Sequence, residues 1–353
     1  MADRVGNAVL QPCPQLSSRF SVVSLLPDAT LVLFVLALTA SGAPGQPPSP
    51  QRVLTAIDGL NAQRVVAMLA LVLIASLILH PFQFSLVRLL EGYWDDSRVG
   101  RPLSALLKAL HRRRRQRLER LAYDPQTPQE QDRQQWAEDR LDQYPDEDRL
   151  LPTRLGNTLR SAEDEAGMRY ELPTVAAMPR LYPYLSGRFA AVYVDRRNQL
   201  DAAVRFCGVL GLAAVISAGM LLTNGGPWRV LPVAIILLAR ISYQAAVRAA
   251  ANYGYALHVA FDLHRFDMIK ALHYPLPANR AEELRFNQQL GDFFTAGAPI
   301  DAGYAHDDED GHGRLKESDR GVDDSRTRRM AASSQLAPSP AYSERRIEVD
   351  VGV

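Results

Sequence analysis

Apolar residues gather in four runs along this chain, at positions 20–39, 65–79 with a weaker extension to 87, 206–223 and 230–247, and charged residues fill the intervals between them. Each run approaches the ~20 residues that an α-helix needs to cross roughly 30 Å of hydrocarbon, so the pattern predicts four transmembrane helices. The fourth run passes without a Gly-Pro break into an amphipathic stretch ending near Leu272. It therefore predicts one helix of about forty residues, roughly 60 Å long, half of it in lipid and half projecting as a stalk. The third run is entered through an equally unbroken helical pattern from Ser186, through Phe189, Val192, Arg196 and Leu200, and it ends at Asn224-Gly225-Gly226-Pro227. Spans three and four are thus expected to form an antiparallel hairpin whose polar extensions emerge side by side. Leu257, Phe261, Met268 and Leu272 have the spacing of a coiled-coil-like seam between those extensions.

The fold class that follows is all-α: a four-helix integral membrane protein with a helical cytoplasmic domain formed by the loop between spans two and three and by the extension of span four. In order, the pattern divides the chain into a flexible tail (1–19), the first span (20–42), a Pro-rich outer loop (43–63), the second span (64–88) and the cytoplasmic helical domain (89–203). The third span (204–223), a tight outer turn (224–229), the fourth span (230–247), a stalk with a final helix (248–296) and a disordered tail (297–353) complete it. Residues 345–351 of that tail alternate like a strand, read as an unpaired tail or as an addition to a partner's sheet edge.

Charge sets the orientation. Arg98, Arg101, Lys108, Arg112, Arg113, Arg114, Arg115, Arg117 and Arg120 stand against Glu119 alone, and the positive-inside bias assigns this interval, and with it both termini, to the cytoplasm. The basic stretch 102–121 places Leu103, Leu106, Leu107, Leu110, Leu118 and Leu121 mostly on one helical face. Its Arg112, Arg113, Arg114, Arg115 and Arg117 suit anionic lipid headgroups; the plainer reading is a topology signal on a packed helix. No aromatic interleaving accompanies the arginines, so nucleic acid is not an expected partner. Between 122 and 151 nine acids face three bases, and this acidic linker is expected to fold back on the arginine helix.

Local signals mark further elements. Thr127-Pro128-Gln129-Glu130 reads as a capping-box helix start, a helix over 153–167 should bury Leu155, Leu159 and Ala162, and Pro173, Pro179 and Pro183 mark a loop. Asn279 with Glu282 restarts a helix that carries Leu284, Leu290, Phe293 and Phe294.

The bulk figures of 353 residues, 47% hydrophobic composition and a net charge of +1 would also fit two soluble domains, and only the clustering of apolar residues argues otherwise. Cys13 and Cys207 have no disulfide or zinc spacing. Thr39-Ala40-Ser41-Gly42-Ala43 carries the small residues of a signal-peptidase site, although the leader before the run is long for one.

Three polar residues interrupt the spans. Asp28 follows Arg19 by nine positions, His80 precedes Arg88 by eight and Arg240 precedes Arg248 by eight, which sets all three at one depth, roughly 12–14 Å from their anchors. An isolated charge there costs at least about 2.5–3.5 kcal/mol, so one reading pairs Asp28 with Arg240 across spans one and four, with His80 beside them. The other starts the first helix at Pro27-Asp28 and lets Arg240 snorkel to the interface. On the stalk, His258 and Asp262 share a helical face, with His264, Asp267 and His273 nearby. Two ligands are too few for a metal, and surface ion pairing is the expected role. The triplet Glu163-Asp164-Glu165 reads as a solvated helix face. No P-loop, dinucleotide glycine fingerprint, nucleophile elbow, HExxH or kinase set is present, so no catalytic residue, cofactor or metal is assigned.

The segments RLLPTRLGNTLRSAEDEAG (149–167), PFQFSLVRLLEGYW (81–94) and FDLHRFDMIKALHYPLP (261–277) resemble parts of multi-pass membrane proteins of high-GC Gram-positive (actinobacterial) bacteria. The resemblance implies a bacterial plasma-membrane protein with the same span pattern and brings no activity with it. The expected role is a non-enzymatic membrane scaffold or regulatory protein whose cytoplasmic domain binds a protein partner or a second copy. The alternative is an oligomeric channel or transporter using Asp28, His80 and Arg240.

Overall fold

The computed structural model describes residues 17–95, 97–123 and 128–305, all of them helical or connecting, with no strand among the described residues. The helices are α1 (Ser17–Ala40), α2 (Pro50–Asp58), α3 (Ala62–Leu79), α4 (Gln83–Glu91), α5 (Gly100–Ala122), α6 (Pro128–Leu141), α7 (Arg154–Glu165), α8 (Thr174–Leu181), α9 (Gly187–Leu221), α10 (Leu231–Ala271) and α11 (Arg280–Ala296). Cys13, the Thr127 cap and the tail from 306 onward lie outside the described residues.

Two of these helices organise the rest. α9 is continuous over 35 residues and α10 over 41, and they pack on each other more extensively than any other pair of elements. Neither contains a helix-breaking proline past its first turn, so each carries one rigid axis from an apolar section into a polar one. In the polar section Leu257, Phe261, Met268 and Ile269 of α10 are fully buried in one core that also holds Tyr193, Leu200 and Val204 of α9, with Leu272 half-buried at its edge. Small residues allow the close approach of the layers: an added Cβ at Gly254 of α10 would come within 2.6 Å of the Ala162 Cβ on α7.

The apolar section is different in kind. α3, α9 and the helix ending in α10 are each long and apolar enough to cross a membrane, while the described apolar part of α1, Leu26–Ala40, is shorter. No residue of α3 is buried. Leu73, Leu77, Leu237 and Ile241 stand more than half exposed, facing outward instead of into a core. α1 packs on α9 through Leu31, Val209 and Ala213, and α3 packs outside α1. The Asn224 side-chain amide, in the turn after α9, donates to the carbonyls of Pro44 (3.2 Å) and Gly45 (3.3 Å), so the turns that follow α1 and α9 meet at one end of the apolar section.

Three expectations change. The second apolar run is not one helix from 64 to 88: α3 stops at Leu79, residues 80–82 form a 3-10 turn, and α4 restarts at Gln83. Pro81 causes the break, because it has no N–H to donate and its ring crowds the preceding turn. The proline-marked loop at 173–185 is instead a short buried helix, α8, with Ala176, Ala177, Met178 and Leu181 in the core. Thr174 fixes its start by accepting a hydrogen bond from the Gly167 N–H at 2.8 Å, and Pro179 is tolerated because the helix ends two residues later in a 3-10 turn. The first residues of the expected disordered tail fold back: Ile300 packs on the core, Tyr304 stacks on Tyr274 at 5.3 Å, and the Ala305 N–H donates to the His273 carbonyl at 2.7 Å.

A tight junction fixes α4 onto α7. Gly92 ends α4 at φ 96°, a left-handed conformation that glycine adopts without strain. The Glu91 carbonyl then accepts from the Thr153 hydroxyl at 2.8 Å, and Thr153 caps α7 by accepting from the Gly156 N–H at 3.0 Å. A Cβ on Gly156 would sit 2.0 Å from that carbonyl. Gly156→Ala is therefore expected to lower stability by about 1–3 kcal/mol despite alanine's better helix propensity, whereas Gly187→Ala, with nothing near its Cβ, is expected to be neutral. Thermal unfolding of the two detergent-solubilised variants checks the contrast.

Candidate functional site

Charged groups concentrate where the apolar and polar sections of α9 and α10 meet. Arg197, Asp201 and Arg205 recur every four residues on α9 and so lie along one side of the helix. Arg205 feels the charges of Asp201 on its own helix and of buried Asp28 on α1. Burial raises the Asp201 carboxyl, and Arg197 and Arg205 pull it back. The expected pairing of Asp28 with Arg240 is thus replaced: α1 packs on α9, not on the face of α10 that carries Arg240, and the guanidinium acting with Asp28 is Arg205. Arg240 stands exposed on α10, and the His80 backbone lies in the 3-10 turn that interrupts the second run. Asp28 is buried in the α1–α9 contact whereas Arg240 is exposed, so these two side chains do not face each other.

A second cluster sits at the α4–α7 junction. Burial raises the Glu91 carboxyl to about 8, with Glu163 adding to the rise and Arg160 and Arg88 opposing it. Glu163 is raised to about 7, again chiefly by burial. Arg160 donates to the Tyr93 hydroxyl at 2.8 Å and lies over the Tyr93 ring. Asp164 forms an ion pair with Arg149 at 2.7 Å, and the Ser161 hydroxyl donates to Glu165 at 3.1 Å. Of the Glu163-Asp164-Glu165 triplet, Glu165 is exposed as a solvated face would have it, whereas Glu163 and Asp164 are half-buried. Helix α7 is covered by α4 on one side and α10 on another, so its carboxylates enter the structure. Below it the hydroxyls of Tyr193 and Tyr253 meet at 2.8 Å inside the α9–α10 seam. Two carboxyls raised toward neutral pH, a tyrosine and an arginine together can store or release a proton.

The remaining candidates take structural roles. Arg112 pairs with Glu147 at 2.8 Å, and Arg115 pairs with Glu119 and lies 3.9 Å from Asp146, so part of the arginine run is used to dock the acidic segment onto α5. Arg113, Arg114 and Arg117 stay exposed. On the stalk, Asp262 accepts from the Tyr170 hydroxyl at 2.6 Å, while His264 lies beside Asp267 at 3.2 Å. Burial, with Arg169, lowers the His258 imidazole. Among the described residues no group of three or more His, Cys, Asp or Glu side chains is placed to hold a metal ion. Arg265 forms a 2.6 Å ion pair with buried Glu283 of α11, and Asn287 donates to the Tyr170 carbonyl at 2.9 Å. The buried face of α11 is thus partly polar; Leu290 is buried as expected, but Phe293 is exposed.

No protein-family model, curated protein or solved structure matches this chain. Its functional reading rests on its own geometry.

Sequence reasoning missed Glu91, Tyr93 and Arg160. Only burial distinguishes them, and burial depends on the Gly92 and Gly156 contacts. The Arg197-Asp201-Arg205 spacing, by contrast, is legible in the chain. Glu91 and Glu163 have folded-state values above the ordinary 4.5, so the folded state holds more protons than the unfolded one between about pH 5 and 8. Their contribution is fully present below pH 4.5 and is lost as pH rises through 7 and 8. Between pH 6 and 9 the stability should fall by the order of a few kcal/mol at most, and Glu91→Gln, which keeps the neutral shape, should flatten that fall. Unfolding midpoints measured across this range check it.

Proposed function

We propose that the chain is a four-span integral membrane protein of the bacterial plasma membrane, with both termini cytoplasmic, whose helical domain is a non-enzymatic interaction platform held against the inner leaflet. The observation that carries this reading is the continuity of α9 and α10. Both join an outward-facing apolar surface to a well-packed polar body without a hinge, so that body is held at a fixed orientation below the bilayer. α1, although shorter in its described apolar part, supplies the remaining span by packing along α9.

The start of α5 supports the surface position. Val99, Leu103, Leu106 and Leu110 are exposed apolar residues recurring every three or four positions, flanked by Arg101, Lys108 and Arg113. Such a stripe inserts among headgroups while the bases meet anionic lipid, each contributing on the order of 1 kcal/mol. A scaffold of this kind carries no flux. Asp28 is buried in the α1–α9 contact, where its charge acts on Arg205 of α9.

Topology tests the reading directly. In a Cys13→Ser, Cys207→Ala background, Gly45→Cys is expected to react with a membrane-impermeant maleimide in intact cells and Arg113→Cys only after permeabilisation. Labelling of Arg113→Cys from outside would contradict the proposal. So would a solute flux in reconstituted vesicles that Asp28→Asn abolishes.

A further inference from the structure

A cleft of about 600 Å³ opens between α6, the first turn of α7 and the stretch of α10 that follows its apolar section. Its charged lining is Arg140, Arg154, Arg248 and a single acid, Asp139, joined by the amides of Gln143, Gln244 and Asn252. None of the three arginines has a carboxylate within ion-pair distance among the described residues; Arg140 lies over the Trp136 ring at 4.5 Å. Arg114 adds a fourth positive charge from α5, acting on Arg154 and on His111. The crowding is measurable at two separate groups. Burial with Arg114 and Arg140 lowers the Arg154 guanidinium, and burial with Arg114 and Arg154 pushes the His111 imidazole down to about 4.

Arg154 also opens α7, where the helix dipole disfavours a cation. Several other arginines of this domain are matched by a carboxylate: Arg112 with Glu147, Arg149 with Asp164, Arg265 with Glu283. Here like charges are gathered into a concave surface of hydrogen-bond donors, an arrangement that an anion filling it would relieve.

From this geometry we infer that the cleft binds a phosphate-bearing anion, and that its position presents it to the headgroup phosphate of an anionic phospholipid. Arg240, Gln244, Arg248 and Asn252 recur at four-residue steps along α10, about 6 Å apart, so exposed Arg240 lies one turn above the cleft on the same side of the helix. Leu237 and Val233, also exposed, lie three and seven residues before Arg240, continue upward from it and offer an apolar track for an acyl chain. Arg240 then reaches down to the phosphate that the cleft holds, which accounts for a cation in the apolar section. The inference rests on the membrane reading above, because a lipid reaches this cleft only if α10 enters the bilayer at that height.

Full-length protein in neutral detergent is titrated with phosphatidylglycerol, phosphatidylcholine and inorganic phosphate, with binding read by native mass spectrometry. Phosphatidylglycerol is expected to bind at least about tenfold tighter than phosphatidylcholine, with Arg154→Gln/Arg248→Gln losing that preference and Arg280→Gln/Arg285→Gln, at exposed positions of α11, keeping it. Hydrogen exchange of the unsubstituted protein guards against a misfolded variant: phosphatidylglycerol should protect 136–143 and 244–252. Inorganic phosphate binding as tightly as the lipid, with the same loss in the double variant, would uphold the anion site and reassign its source to a soluble phosphate. Phosphatidylglycerol binding unchanged in Arg154→Gln/Arg248→Gln, or no protection of 244–252, overturns the inference. Either result in a protein that still shows the expected maleimide pattern leaves the topology standing, so the two failures are separable.

Discussion

The seam between α9 and α10 carries the rest of the molecule, because it joins two environments through helices that satisfy their own backbone hydrogen bonds throughout. In the polar section the seam is closed by the Tyr193–Tyr253 hydroxyl contact and by a core in which Leu257 and Phe261 of α10 are buried together with Leu200 and Val204 of α9. In the apolar section the same helices turn Leu237, Ile241 and Val215 outward. Leaving one such side chain in water instead of an apolar medium costs roughly 1.5–3 kcal/mol, and α3 adds further outward leucines with no buried residue at all. Lipid resolves this conflict without altering a single contact, since internally hydrogen-bonded helices are what a bilayer tolerates.

Charge management at the junction follows from the same constraint. Where α9 leaves the apolar section, Arg205, Asp201 and Arg197 alternate in sign, and Asp28 on α1 adds one more carboxylate. Slightly further on, Glu91 and Glu163 are held toward the protonated form. In one cluster opposite charges act on each other, and in the other the carboxyls hold their protons. The cleft instead gathers the guanidiniums of Arg140, Arg154 and Arg248 with a single acid, Asp139.

Long-period features were legible in the chain. The continuous α10, the α9 helix entering its apolar run from Ser186, the Thr153 start of α7 and the Asn279–Glu282 cap of α11 all follow from 3.6-residue periodicity and capping chemistry. What escaped depends on three-dimensional neighbours. A proline triplet reads as a loop until the buried face Ala177, Met178, Leu181 is seen to hold α8 together. An Asp28–Arg240 pair fits the depth arithmetic, but depth says nothing about which helices adjoin, and α1 adjoins α9. Glu163 reads as solvated because helical spacing reveals faces, not what covers them. Arg140, Arg154 and Arg248 lie on three elements, with no local signal to link them.

Alkaline carbonate extraction of membranes from cells making the full chain tests the central claim most directly. If α3, α9 and α10 have lipid as their solvent, the protein stays in the high-speed pellet and is released only by detergent. Quantitative recovery in the carbonate supernatant would contradict the account.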